Sequence, residues 1–192
     1  MTKYFLHGGG ESKNTKANKK FFQEITKEPF GNTNILCVYI ARDKRLNIWN
    51  WSKMFKDDKN QISSACPNRK INFMLAEDKT SAFVEQVKSS NIVYFRGGIT
   101  EVLLEFMGNI PNINNIWKDK LVIGCSAGAL ILSKYYYDGD LNAYREGLGI
   151  LPIKVICHWG KERYGKLEGL KKLGENLKVY KIPEQKFFII NQ

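Results

Sequence analysis

Short apolar runs alternate with longer amphipathic stretches along this chain, the pattern left by strands alternating with helices. The spacing predicts strands at Lys3–Leu6, Ile35–Ile40, Asn72–Leu75, Ile92–Phe95, Leu121–Gly124, Lys154–Cys157, Val179–Ile182 and Phe187–Ile190. Helices are predicted over much of Lys16–Thr26, Trp49–Asp57, Ser81–Ser89, Glu101–Met107, Ala127–Leu132 and Lys166–Leu173. Phe83 and Val87 are spaced i, i+4, as are Val102 and Phe106, so each pair should face inward from its helix. Ser81 and Thr100 stand where N-caps are expected. The predicted fold class is α/β, a three-layer sandwich built on a mostly parallel sheet covered on both faces. In such sheets, sites form beyond the carboxyl ends of the strands.

Composition narrows this picture. A chain of 192 residues with 43% hydrophobic content suits one domain around one core, expected here over residues 1–192. No apolar run approaches the ~18 residues of a membrane span. The opening Met-Thr-Lys-Tyr-Phe-Leu-His reaches a glycine cluster without a signal peptide's apolar region. Cys37, Cys66, Cys125 and Cys157 are widely separated and include no Cys-x-x-Cys pair. Three of them lie in apolar surroundings, as small buried thiols do, and a reducing cytoplasm fits this usage. The net charge of +11 raises the question of nucleic acid. The lysines are spread along nearly the whole chain rather than gathered with arginines and aromatics in one segment, so no specific nucleic-acid partner is expected.

The strongest chemical signal is Leu121-Val-Ile-Gly-Cys-Ser-Ala-Gly-Ala-Leu-Ile-Leu132. An apolar strand meets Gly124-x-Ser126-x-Gly128 and continues into a helix-compatible run, the context of a nucleophile elbow. Small residues are needed on both sides of the serine because strand must turn sharply into helix. The turn projects the Ser126 hydroxyl at the strand's end, where the backbone N–H of Ala127 could meet a developing oxyanion. Cys125 occupies the variable position of the motif and should point into the core. A serine needs a base, and only two histidines exist. His158 and His7 both end predicted strands, so position does not separate them. His158 is preferred, partly because His7 leads into the first turn at Gly8-Gly9-Gly10.

Arg96-Gly97-Gly98-Ile99-Thr100 follows another strand and opens a helix. The glycine pair could let backbone approach a ligand and aim N–H groups at an anion, or could simply make a tight turn capped by Thr100. No metal constellation is evident, carboxylates being the only plausible ligands, and no cofactor is expected. Neither a P-loop nor a dinucleotide-binding glycine pattern is present.

Four segments, in order, make the chain resemble the dipeptidase E and cyanophycinase family of serine peptidases. They are Tyr94-Phe-Arg-Gly-Gly98 with Ile99-Thr100, Ile123-Gly-Cys-Ser-Ala-Gly-Ala129, Leu148-Gly-Ile-Leu-Pro152 leading to Cys157-His158, and Ile182-Pro-Glu184. The resemblance runs from about Tyr4 to the C-terminus and lapses over Arg42–Arg69. It implies a fold similar to class I glutamine-amidotransferase-like domains and a triad of Ser126, His158 and Glu184. It also implies an oxyanion hole from the amides of Gly98 and Ala127. Asp138 and Asp140 are the alternative triad acids, their plainer reading being a solvated Asp-Gly-Asp turn.

Two departures bear on specificity. Ile99 stands where the family usually has Asn or Asp, beside the site. The segment Trp159-Gly-Lys-Glu-Arg-Tyr-Gly165 is short, and its Arg163 falls where the family's substrate-recognising arginine would. The expectation is therefore a serine peptidase for small peptides, monomeric or homodimeric, with no membrane partner. An esterase or amidase using the same nucleophile is the alternative, as is a catalytically silent binding domain on this fold.

Overall fold

Apolar, β-branched and aromatic residues concentrate in runs of four to seven residues such as Ile92–Phe95 and Leu121–Cys125, and these runs become strands buried on both faces. A computed structural model describes residues 1–27, 32–46 and 48–192. Its elements are β1 (Lys3–His7), α1 (Lys16–Ile25), β2 (Thr33–Val38), α2 (Trp51–Ala65), β3 (Ile71–Leu75), α3 (Thr80–Lys88), β4 (Ile92–Phe95) and α4 (Thr100–Gly108). They continue through β5 (Leu121–Cys125), α5 (Ala127–Leu132), β6 (Ser133–Asp138), β7 (Ala143–Glu146), β8 (Leu151–Cys157), α6 (Leu167–Lys172), β9 (Val179–Ile182) and β10 (Phe187–Asn191).

Six strands form a sheet in the order β10-β1-β5-β4-β2-β3, parallel except where β10 runs against β1. Its register aligns Phe5, Ile123, Tyr94 and Cys37 in one row, and Leu6, Gly124, Phe95 and Val38 in the next. Neighbouring rows face opposite sides of a sheet. The first row meets α1, where Phe21 lies 6.4 Å from Phe5 and Phe22 lies 6.3 Å from Tyr94. The second meets Phe83 of α3 and Trp117, 6.4 and 5.9 Å from Phe95. Helices thus cover both faces, and the protein is an α/β sandwich with mostly parallel sheets.

The other four strands make a second sheet, β7-β6-β8-β9, in which only the β6–β7 pair is antiparallel. Helix α5 packs on β5 and also on β6 and β8, so the second sheet is carried against the carboxyl end of the first.

Several sequence expectations change, among them the inward face of α4, whose buried residues are Thr100, Leu103 and Met107 while Val102 and Phe106 are only partly buried. Strands β6 and β7 were not anticipated, because the Tyr135-Tyr136-Tyr137 run follows a short helix with no turn signal between them. The Asp138-Gly139-Asp140 turn joins them as a hairpin. Helix α2 runs on to Ala65 rather than ending near Asp57. Its buried stripe is Trp51, Asp58, Ile62 and Ala65, and an acid within that stripe disguises the helical period. Ser81 and Thr100 are not N-caps. Lys79 and Ile99 hold those positions without side-chain caps, while Thr100 is buried inside α4. Thr15 and Asn50 do cap α1 and α2 through bonds to Asn18 N and Lys53 N.

Candidate active site

The turn from β5 into α5 leaves room only for hydrogen at two positions. A β-carbon on Gly124 would lie 2.5 Å from the Gly128 carbonyl, and one on Gly128 would lie 2.7 Å from Phe95 Cβ. Between them Ser126 adopts φ 49°, ψ −110°, a conformation that costs a non-glycine residue energy and is kept only where surroundings enforce it. Here the enforcing bonds are backbone ones. Ser126 N donates to His7 O at 2.9 Å, and Ala129 N and Leu130 N donate to Ser126 O at 2.8 and 3.0 Å.

Two loops bring the other groups. His158 follows β8 with φ 49°, tied by its N–H to Gly8 O at 3.0 Å, while Trp159 N reaches Ile182 O at 3.0 Å. The imidazole lies on Gly9, where a β-carbon would sit 2.2 Å from Cε1, so the first glycine turn is the floor on which the ring rests. Ser126 Oγ is 2.8 Å from His158 Nε2, and His158 Nδ1 is 3.1 Å from Glu184 Oε1. An ionised carboxylate can only accept, so Nδ1 carries the proton and Nε2 is left to accept from the serine hydroxyl. Glu184 sits in the β9–β10 turn, which is held by Gln185 N donating to Gly9 O at 2.9 Å and by Thr15 Oγ1 on Gln185 Oε1 at 2.6 Å.

Lys13 Nζ meets the second oxygen, Glu184 Oε2, at 2.5 Å. Hydrogen bonds from Lys13 and then His158 hold the Glu184 carboxyl below the usual carboxylate range. Glu184 is therefore ionised at neutral pH.

The remaining sequence candidates separate clearly. His7 is fully buried, its Nδ1 accepts from Gly9 N at 3.2 Å, and burial lowers its pKa; its backbone carbonyl meets Ser126 N, but its imidazole makes no bond to the Ser126 hydroxyl. Asp138 is buried, and its Oδ1 accepts from Asp140 N and Leu141 N at 2.9 and 3.0 Å, closing the hairpin turn. Asp140 is exposed in that turn. Neither aspartate bonds to His158. Arg163, in the short 3-10 segment Lys161–Lys166, donates from Nη1 to the Cys157 carbonyl and packs its guanidinium against Gly139. It braces the strand end that carries His158. Cys125 is buried, and burial pushes its thiol pKa well up, so it is not a competing nucleophile.

Gly97 abuts the serine, since a β-carbon there would lie 2.9 Å from Ser126 Cβ. Ile99 is half-buried at the start of α4, and its N–H bonds to Ala41 O at 2.7 Å. Among the described residues the N–H groups of Gly98 and Ala127 make no hydrogen bond within the protein.

Beneath this loop lies a buried charged group that spacing along the chain could not reveal. Arg96 Nη1 bonds Asp58 Oδ1 at 3.0 Å, Arg96 Nε is 3.4 Å from Glu11 Oε1, and Tyr39 donates to Asp58 Oδ2 at 2.6 Å. Desolvation opposes the Arg96 charge, but Tyr94, Glu11 and Asp58 more than offset it and its pKa is raised. Burial works against the Glu11 charge too, yet Arg96 brings its carboxyl below the usual range. For Asp58 burial dominates and lifts the pKa to about 6, with Arg96 and Tyr39 pulling the other way.

A raised acid stabilises the fold below its unfolded pKa and loses that contribution as pH rises through its folded value. Asp58→Asn removes the titration while keeping an acceptor. The unfolding free energy of that variant relative to wild type should therefore grow by up to about 3 kcal/mol between pH 4 and pH 7. Urea unfolding at the two pH values measures this; a constant difference would show that Asp58 titrates normally.

His7, Glu11 and Cys125 bring one nitrogen, oxygen or sulfur atom each within 4.8 Å of one another, a trio the sequence reading did not foresee. With the Arg96 guanidinium on Glu11, a fixed cation already answers that carboxylate.

A cavity of about 710 Å³ is lined in part by Arg42, Trp49, Met54, Gln61 and Arg96. Of the loop against Ser126 only Arg96 lines it, and none of Ser126, His158 and Glu184 does.

The model for peptidase family S51 matches residues 4–192. Two solved structures show the same fold. A peptidase from an acI-B1 actinobacterium superposes with a TM-score of 0.67 at 22% identity, covering 99% of this chain and 83% of that one. A putative peptidase E protein from Listeria monocytogenes EGD-e gives a TM-score of 0.60 at 14% identity, covering 100% and 99%. No curated protein matches the sequence.

Proposed function

The chain belongs to peptidase family S51 and is a serine-type peptidase, and from that premise we propose that it hydrolyses small peptides through an acyl-enzyme on Ser126. The observation that carries this reading is the continuous chain of contacts from Ser126 Oγ to His158 Nε2 at 2.8 Å and from His158 Nδ1 to Glu184 at 3.1 Å. His158 takes the serine proton as Oγ attacks the scissile carbonyl, and Glu184 stabilises the imidazolium that results. The free N–H groups of Gly98 and Ala127 receive the oxyanion, a contribution of about 3 kcal/mol per donor to the transition state. His158 then gives its proton to the leaving amine, and a water activated by the same imidazole releases the acid.

Short substrates are what the resemblance to the dipeptidase E and cyanophycinase family implies. No described helix is long and apolar enough to cross a membrane.

The test is labelling with a fluorophosphonate, read by intact mass and peptide mapping, beside a dipeptide-library hydrolysis screen. One adduct on Ser126 together with cleavage of a subset of dipeptides is the expected result. An adduct without peptide cleavage would assign an esterase or amidase. Folded protein that neither labels nor turns over would mark a silent binding domain.

A further inference from the structure

The Gly97–Gly98 peptide has nothing of its own to hold it. Glycine on both sides removes the β-carbons that would otherwise restrict its plane, so its orientation rests on the contacts it makes. In one orientation the Gly98 N–H points to the oxyanion position, and in the other the Gly97 carbonyl oxygen does.

One side chain distinguishes these states. Arg42 Nε donates to Gly97 O at 2.6 Å, in a charge-assisted bond that needs the carbonyl on the arginine's side. A trans peptide is planar, with its C=O and N–H on opposite edges, so holding the carbonyl aims the Gly98 N–H the other way. Arg42 is itself well anchored. Its N–H bonds to Tyr39 O at 2.7 Å, its carbonyl accepts from Trp51 Nε1 at 2.6 Å, and its guanidinium lies 5.3 Å from the Trp49 ring centroid. The flanks of the glycine pair are fixed separately, by Arg96 N on Val38 O at 3.0 Å and Ile99 N on Ala41 O at 2.7 Å. Only the peptide between them depends on a side chain.

We propose that Arg42 is a positioning residue for the oxyanion hole, locking the Gly97–Gly98 peptide with its N–H presented to the reacting carbonyl. The inference rests on Ser126 being the nucleophile.

Fluorophosphonate labelling reads the lock directly. The Ser126 Oγ–P bond forms, P–F breaks, fluoride leaves, the serine proton passes to His158, and charge develops on the phosphoryl oxygen in the hole. Arg42→Met keeps the bulk but removes the donor, and should lower the maximal labelling rate roughly ten- to a hundredfold. The concentration giving half-maximal rate should barely change. Arg42→Gln retains an N–H that can reach the carbonyl and should stay within about threefold of wild type.

Equal slowing in both variants would mean that Arg42 acts through its charge and not through the bond to Gly97 O, and would overturn the proposal. So would a methionine variant that labels at the wild-type rate. If the methionine variant does not fold, Arg42→Ala labelled with and without ethylguanidinium decides, acceleration being expected and its absence fatal. Ser126→Ala run in parallel separates the two levels. An adduct surviving there removes the nucleophile assignment itself, whereas its loss beside an unaffected Arg42→Met removes only the lock.

Discussion

Ser126→Ala is expected to abolish fluorophosphonate labelling and to lower turnover of any cleaved peptide by about a million-fold, the loss seen when a triad nucleophile is removed. The size follows from the absence of a substitute. Cys125, the adjacent thiol, is buried and its pKa is well above the ordinary value, so little thiolate exists to attack. The fold should survive the change. Alanine has the same β-carbon as serine, so the strained backbone at φ 49° is no worse served, and the bonds from Ser126 N and to Ser126 O are all main-chain. His158 Nε2 loses its partner but is half-buried and can turn to water. Intact mass after labelling and a thermal melt measure both halves of the prediction. Retained turnover in a variant melting with wild type would place the nucleophile elsewhere.

The elbow was legible from sequence because its cause is local. Gly124 meets the Gly128 backbone across a single turn, a steric demand written at a fixed spacing, while Gly128 answers to Phe95 on the neighbouring strand. The bounds of β4, α5 and β9 were legible for a related reason, each being an apolar run whose neighbours in sequence are polar or turn-forming. The scarcity of histidine narrowed the serine's partner to two residues, and the choice of His158 drew on the glycine turn after His7 and on the family resemblance. What escaped were contacts between distant segments. Lys13 reaches Glu184 from the opposite end of the chain, Arg42 reaches Gly97 from the loop after β2, and Asp58 is an acid lodged in an apolar helical stripe. No spacing rule marks such residues, since a lysine or aspartate that meets a partner in space looks the same in sequence as one that meets water. Arg163 illustrates the converse. The family resemblance put it where a substrate-recognising arginine would stand, and nothing in the sequence marked the bond its guanidinium makes to the Cys157 carbonyl beside Gly139.

The triad acid supplies the second large effect. Glu184→Gln should reduce kcat about a thousandfold, less than the ~10⁴-fold loss when a buried triad carboxylate becomes an amide. Two features soften it. The Glu184 side chain is 42% exposed, so water can partly solvate the imidazolium, and Lys13 already shares the carboxylate's charge. The amide can still present an oxygen to Nδ1–H, but it carries no charge to stabilise the protonated ring. Asp138→Ala separates the rival assignment. It leaves Asp140 N and Leu141 N without their acceptor and should cost about 1–3 kcal/mol of stability, measured by urea unfolding, with kcat unchanged in the folded protein. The opposite pattern, a dead but stable Asp138→Ala beside an active Glu184→Gln, would transfer the role to the hairpin. The geometry argues against that, because both backbone bonds of the Asp138 carboxylate point into its own turn while Glu184 extends one oxygen to the histidine and the other to a lysine.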